Sequence, residues 1–131
     1  MDTINAKAQA LAKYLEIDID AAEKLIDDGD WLVLTDDEAE QAARDYILDS
    51  VWAFLPSFLA RYSDVADESV FEAIAQNGKC ENNNKATLKL ISDVDHFVRE
   101  AILSDGRGNF LSGYDGEEVA LDGDLFAYRC N

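Results

Sequence analysis

An α+β fold, mostly helical with four to five helices and a small antiparallel sheet, is what the sequence predicts. Three observations carry this expectation. Apolar residues recur at helical spacing through most of residues 3–104, the texture changes to short runs between Gly turns after residue 105, and Trp31–Thr35 is an isolated β-like run.

Ile4, Ala8, Leu11 and Leu15, spaced four, three and four, define one apolar face and a helix over about 3–15. Asp18 or Asp20 could cap a second short helix through Leu25 and Ile26, with Gly29 as its C-terminal stop. Trp31-Leu32-Val33-Leu34-Thr35 lies between turn signals and reads as a buried strand. Thr35 and Glu38 match a capping box, and Asp36, Asp37 and Glu38 suit the positive end of a helix dipole. The helix they open is expected over about 36–54, with Ala39, Ala43, Ile47, Ser50, Val51 and Phe54 as its stripe.

Pro56 starts a new turn with Phe58, Leu59 and Tyr62 inward, and Asp67 caps a helix that holds Val70, Phe71 and Ile74 and ends at Asn77-Gly78. Residues 79–84 read as an exposed loop. A long helix is expected over about 84–104, because Thr87, Leu90, Ile91, Val94, Phe97, Val98, Ala101 and Ile102 share a face. Residues 109–114, 118–121 and 125–130 then read as short strands joined at Gly turns. Trp31–Thr35 is the natural third strand, since an isolated hairpin is marginal. With 131 residues, no Pro/Gly-rich linker and no repeat, a single domain over 1–131 is expected.

The chain carries 28 acidic and 11 basic residues, a formal net charge of −17, spread along its whole length. That predicts a charged shell around one core, because an acidic tail would concentrate the charge in one segment. A domain this acidic repels phosphate backbones and anionic lipid, so direct nucleic-acid and membrane binding are disfavoured. No apolar run approaches the ~18 residues that span a bilayer, and the N-terminus lacks a basic start followed by an apolar stretch. A cytoplasmic location follows as an expectation.

Catalytic signals are weak, and no cofactor or metal is expected. The one histidine, His96, lies opposite the apolar stripe with Glu100 at helical four-residue spacing, an ordinary exposed pair. Cys80 and Cys130, with one histidine, fall short of a zinc ligand set, and pairing between them is left open. Gly106-Arg107-Gly108 lacks the Gly-Lys-Ser/Thr ending of a phosphate loop and reads as a helix stop leading into a strand. Residues 105–117 would put Arg107 at a ligand position of a calcium loop, which argues against calcium. With this many acids, some pair always falls at a hydrolase-like separation, so such pairing carries no information.

The acidic balance is the strongest functional cue. Helical carboxylates at i and i+4 lie ~6 Å apart, while phosphates on one DNA strand advance ~3.4 Å per nucleotide. A rigid helical surface can therefore rival the charge density of nucleic acid. Candidate rows are Glu16, Asp20, Glu23, Asp27 and Asp30, and Asp37, Glu40, Asp45 and Asp49. Contacts are expected on Glu23, Asp27, Asp37, Glu40, Asp45 and Asp49. Trp52, off the main stripe of its helix, offers a different anchor: with Phe58 it could form an apolar patch for a protein partner, the charge then serving solubility. Burial of Trp52 under the Phe58–Tyr62 segment is the commoner arrangement.

Two blocks carry a resemblance. Leu32-Val33-Leu34-Thr35-Asp36-Asp37-Glu38-Ala39 running on to Ser50-Val51-Trp52-Ala53-Phe54 is one. The other is Asp105-Gly106-Arg107-Gly108-Asn109-Phe110-Leu111-Ser112 with Tyr114-Asp115-Gly116-Glu117-Glu118. They resemble blocks in small acidic proteins encoded by phages, prophages and plasmids, which are similar in size and charge to anti-CRISPR and antirestriction inhibitors. The resemblance implies a non-enzymatic inhibitor acting in a bacterial host on a nucleic-acid-binding defence protein, a CRISPR effector or a restriction enzyme. It transfers no catalytic residues.

Overall fold

A computed structural model describes residues 3–76 and 81–131. The expected Asn77-Gly78 stop, Cys80 and the side chain of Ile4 fall outside the described residues. In chain order the elements are α1 (Thr3–Leu15), α2 (Ile19–Asp27), β1 (Trp31–Thr35), α3 (Asp36–Asp49), α4 (Pro56–Ala60), α5 (Glu68–Gln76), α6 (Glu81–Lys89), α7 (Val94–Asp105), α8 (Arg107–Leu111), β2 (Val119–Leu121) and β3 (Leu125–Arg129). The class is α+β and mostly helical, with one three-stranded antiparallel sheet, but the expectation of four to five helices is corrected: the described residues form eight α-helices. No helix among them is long and apolar enough to cross a membrane.

The additional helices arise where local hydrogen bonding overrides a continuous apolar stripe. The helix expected over 84–104 is two helices. The stripe does run through it, with Thr87, Ile91, Phe97, Val98 and Ala101 buried. Between them, however, the Asp93 carboxylate accepts the His96 amide at 3.1 Å and caps a new helix. The Ser92 amide donates to the Tyr62 carbonyl at 2.9 Å and leaves the helical ladder. The helix expected over 36–54 ends at Asp49. Ser50 turns its hydroxyl back to the Tyr46 carbonyl at 2.6 Å, a single 3-10 turn follows at Val51–Ala53, and Pro56 restricts Leu55 to extended backbone. The described part of the expected 79–84 loop, from Glu81 onward, is helical. The strand expected over 109–114 starts instead as helix α8, because Gly106 at φ 83° reverses the chain and the Asn109 and Ser112 amides close turns onto Gly106 and Gly108.

The chain forms two compact units, residues 1–43 with 105–131, and residues 44–104. The first holds the sheet, ordered β1-β3-β2, with Trp31 opposite Arg129, Thr35 opposite Leu125, and Val119 opposite Ala127. Its core gathers Ala8, Leu11 and Ala12 of α1, Ala22 of α2, and Val33, Leu125 and Ala127 of the sheet. The second unit is built on aromatics: among Phe54, Phe58, Tyr62 and Phe97, five ring pairs have centroids 5.1–5.8 Å apart, a spacing at which edge-to-face pairs add to burial. Asn84 ties it together from α6, donating to the Leu48 carbonyl at 2.7 Å and accepting the Trp52 amide at 3.2 Å.

The capping box forms as read. The Thr35 hydroxyl accepts the Glu38 amide at 3.2 Å, and the Glu38 carboxylate accepts the Thr35 amide at 2.9 Å. That amide, followed by the Lys7 ammonium 2.9 Å away, holds the Glu38 carboxyl below its ordinary value of 4.5. A carboxyl with a lowered folded-state pKa contributes stability above its unfolded pKa and loses that contribution as pH falls through the folded value. Thr35→Ala is therefore expected to cost about 1 kcal/mol in urea unfolding near neutral pH. The gap between the wild type and Glu38→Gln should close as pH falls below 4.5 and through the lowered value of the folded carboxyl.

Candidate acidic face

Folding sorts the charges that the sequence spreads evenly. The first unit carries 18 acidic and 5 basic residues, a formal −13, while the second carries 10 and 6, a formal −4. The sorting follows from chain return: residues 105–131, rich in acids, come back to pack with the acid-rich first 43 residues.

Within the first unit every base is engaged. Lys7 pairs with Glu38 at 2.9 Å, Lys13 with Asp122, and Lys24 with Asp28 at 3.8 Å, while the Arg129 guanidinium lies 3.8 Å from the centre of the Tyr114 ring. Arg107 takes three carboxylates at once: Asp36 at 2.8 Å and Glu40 at 3.1 Å through Nη1, and Glu118 at 2.7 Å through Nε. Its side chain is only 9% exposed and its guanidinium sits 4.7 Å from the centroid of the Phe126 ring. Burial works against that charge, but the hydrogen bonds to Glu118 and Asp36 outweigh it and push the guanidinium further up. On the same carboxylate, the Tyr128 hydroxyl donates to Glu118, and burial followed by that bond pushes the phenol up.

The seven sequence-predicted contact residues divide between the units. Glu23, Asp27, Asp37 and Glu40 belong to the first; Asp45, Asp49 and Trp52 belong to the second. Asp27 and Asp37 are exposed and, with Asp18 and Asp20 of the same stretch, form no ion pair among the described residues. Glu23 is half-buried, and Glu40 spends its charge on Arg107. Asp45 and Asp49 are exposed on the later turns of α3. Trp52 is half-buried, and it shares a shallow cleft with Pro56, Phe71, Ile74 and Thr87.

Arg107 is the residue that sequence reading missed. The sequence presents it as part of a glycine-flanked helix stop and as a misfit in a calcium loop, whereas it anchors the N-terminal end of α3 to α8 and to the residue before β2. The available signal was a lone base between two glycines in a strongly acidic chain.

The remaining chemistry is sparse. The His96 imidazole lies 3.9 Å from the Glu100 carboxylate and 5.4 Å, centroid to centroid, from the Tyr62 ring, about half exposed on α7. Cys130 is a free thiol with its sulfur 3.6 Å from the Leu111 and Tyr128 carbonyls. Among the described residues, no group of three or more His, Cys, Asp or Glu side chains is placed to hold a metal ion. No protein-family model matches the chain, and neither the curated proteins nor the solved structures give a significant match.

Proposed function

We propose that this protein is a non-enzymatic inhibitor of a host defence nuclease, of the anti-CRISPR or antirestriction type, acting in the cytoplasm of a bacterial cell. Its first unit presents a fixed array of carboxylates to a basic groove that otherwise holds nucleic acid. The observation that carries this reading is the −13 charge gathered on the first unit, with its few bases committed to ion pairs or ring contacts. Exposed carboxylates on α2 and at the start of α3, Asp20, Asp27 and Asp37 among them, act as stationary negative charges. They steer association and compete with the polynucleotide for the same groove.

Purified CRISPR effectors and restriction enzymes, assayed for binding with and without double-stranded DNA, test the reading. DNA is expected to displace the protein. The triple substitution Asp20→Asn, Asp27→Asn, Asp37→Asn is expected to weaken binding at least tenfold with the fold unchanged by circular dichroism. Simultaneous binding of DNA and protein, or an unaltered affinity of the triple variant, would refute it.

A second reading places a protein partner on an apolar patch around Trp52 and Phe58, the acids serving only solubility. Leu55, 70% exposed and lying between them in sequence, favours it. On that reading Leu55→Asp abolishes binding and the triple asparagine variant leaves it intact.

A further inference from the structure

Both arginines of the first unit lie against an aromatic ring, Arg129 3.8 Å from the centre of Tyr114 and Arg107 4.7 Å from that of Phe126. A guanidinium is planar and weakly hydrated, so a ring face and a carboxylate can hold it together. Tyr14 offers the same chemistry to a group from outside. It stands on the last turn of α1, 50% exposed, and its hydroxyl has no hydrogen-bond partner among the described residues. The Trp31 ring meets it at 67° with centroids 6.3 Å apart, an edge-to-face contact that steadies the phenol. The Tyr14 ring also borders a depression of about 190 Å³ lined by Ala10, Ala120 and Leu121. Lys13 and Asp122, on the same depression, pair with each other and add no net charge.

Carboxylates follow directly in the chain. Glu16 takes left-handed backbone at φ 58°, and the Ile17 amide donates to the Ala12 carbonyl at 3.0 Å, the hydrogen bond of a Schellman stop. That stop fixes the turn on which Tyr14 and Glu16 stand. Glu16, Asp18 and Asp20 are exposed and, among the described residues, form no ion pair or side-chain hydrogen bond. An accessible, supported ring followed by uncommitted carboxylates is complementary to one side chain.

We propose that Tyr14, with Glu16, Asp18 and Asp20, anchors an arginine side chain of the partner protein. Its guanidinium lies over the phenol ring while its N–H groups donate to the carboxylates. Lysine meets the anchor less well, because an ammonium lacks both the plane that stacks and the fork that reaches a carboxylate at the same time. Tyrosine and arginine are also the side chains that carry disproportionate shares of interface energy. The anchor rests on the function proposed above, where the partner presents a basic groove, and it selects arginine-bearing grooves from those that are merely positive.

The test is a titration of the ¹⁵N-labelled full chain with a Gly-Arg-Gly-Arg-Gly-Arg-Gly peptide and with its lysine counterpart, equal in length and charge. The arginine peptide is expected to bind about threefold tighter or better, with shift changes centred on Tyr14 to Asp20 and on the Trp31 indole. Tyr14→Phe should keep that preference and Tyr14→Leu should remove it. Glu16→Gly should weaken the arginine peptide about twofold or more. It places at the left-handed position the residue that position favours, so a weaker binding there is not a lost fold. Equal binding of the two peptides would overturn the proposal, as would a preference that survives Tyr14→Leu or shift changes confined to α3. The nuclease takes no part in this titration, so the two readings fail separately: DNA competition can fail with the arginine preference intact, and the reverse.

Discussion

Gly108→Ala is expected to destabilise the first unit by about 3 kcal/mol, the upper end of what overpacking a close-packed site costs. Gly108 is buried in α8, where the following loop runs directly over it. A Cβ there would lie 2.5 Å from the Gly116 oxygen, 2.6 Å from the Glu117 carbonyl carbon and 2.8 Å from the Glu118 nitrogen. All three are backbone atoms, so no side chain can swing away. The loop would have to lift, and with it Glu118, which both Arg107 and the Tyr128 hydroxyl engage. Against a total stability of about 5–15 kcal/mol, such a loss brings a domain close to unfolding. Gly113→Ala is the matched control. Its added Cβ would meet the Cys130 oxygen at an ordinary 3.6 Å, so a change within about 0.5 kcal/mol is expected in the same urea titration.

Arg107→Ala is expected to cost about 2–4 kcal/mol, less than the full loss for a wholly buried pair because the three carboxylates keep 31–66% exposure. The cost is mostly that of what remains: Asp36, Glu40 and Glu118 would face one another without a cation. Two further variants separate charge from geometry. Arg107→Lys restores a point charge but not the planar fork that spans Asp36 and Glu118, so it should recover only part of the loss. Adding Glu118→Gln to Arg107→Ala should recover part as well, because it removes one uncompensated carboxylate, and a double-mutant cycle measures the coupling.

Local signals in the sequence located the elements whose formation is itself local. The four-three-four apolar spacing marks α1, the run Trp31–Thr35 marks β1, and the Thr35/Glu38 pair marks the start of α3. The sheet partnership of β1 was legible because a two-stranded ribbon needs a third strand. Where a stripe continued through a break, periodicity misled: Ile91 and Phe97 are both buried, yet Asp93 caps a new helix between them. Phe110 and Leu111 looked like the start of a strand, but Gly106 at positive φ turns the chain into α8 before them.

The candidate site was legible only in its chemistry. Which acids gather depends on the return of residues 105–131 to the N-terminal segment, and no local pattern encodes that. The same holds for Arg107, which meets Asp36 and Glu40 from 71 and 67 residues away.

The charge array of the first unit is tested most directly by the salt dependence of binding to a nucleic-acid-binding defence nuclease. If several fixed carboxylates replace phosphates in a basic groove, affinity should fall by orders of magnitude between ~50 and ~200 mM salt, as it does for a protein that makes many phosphate contacts. An affinity that stays flat across that range would contradict the account.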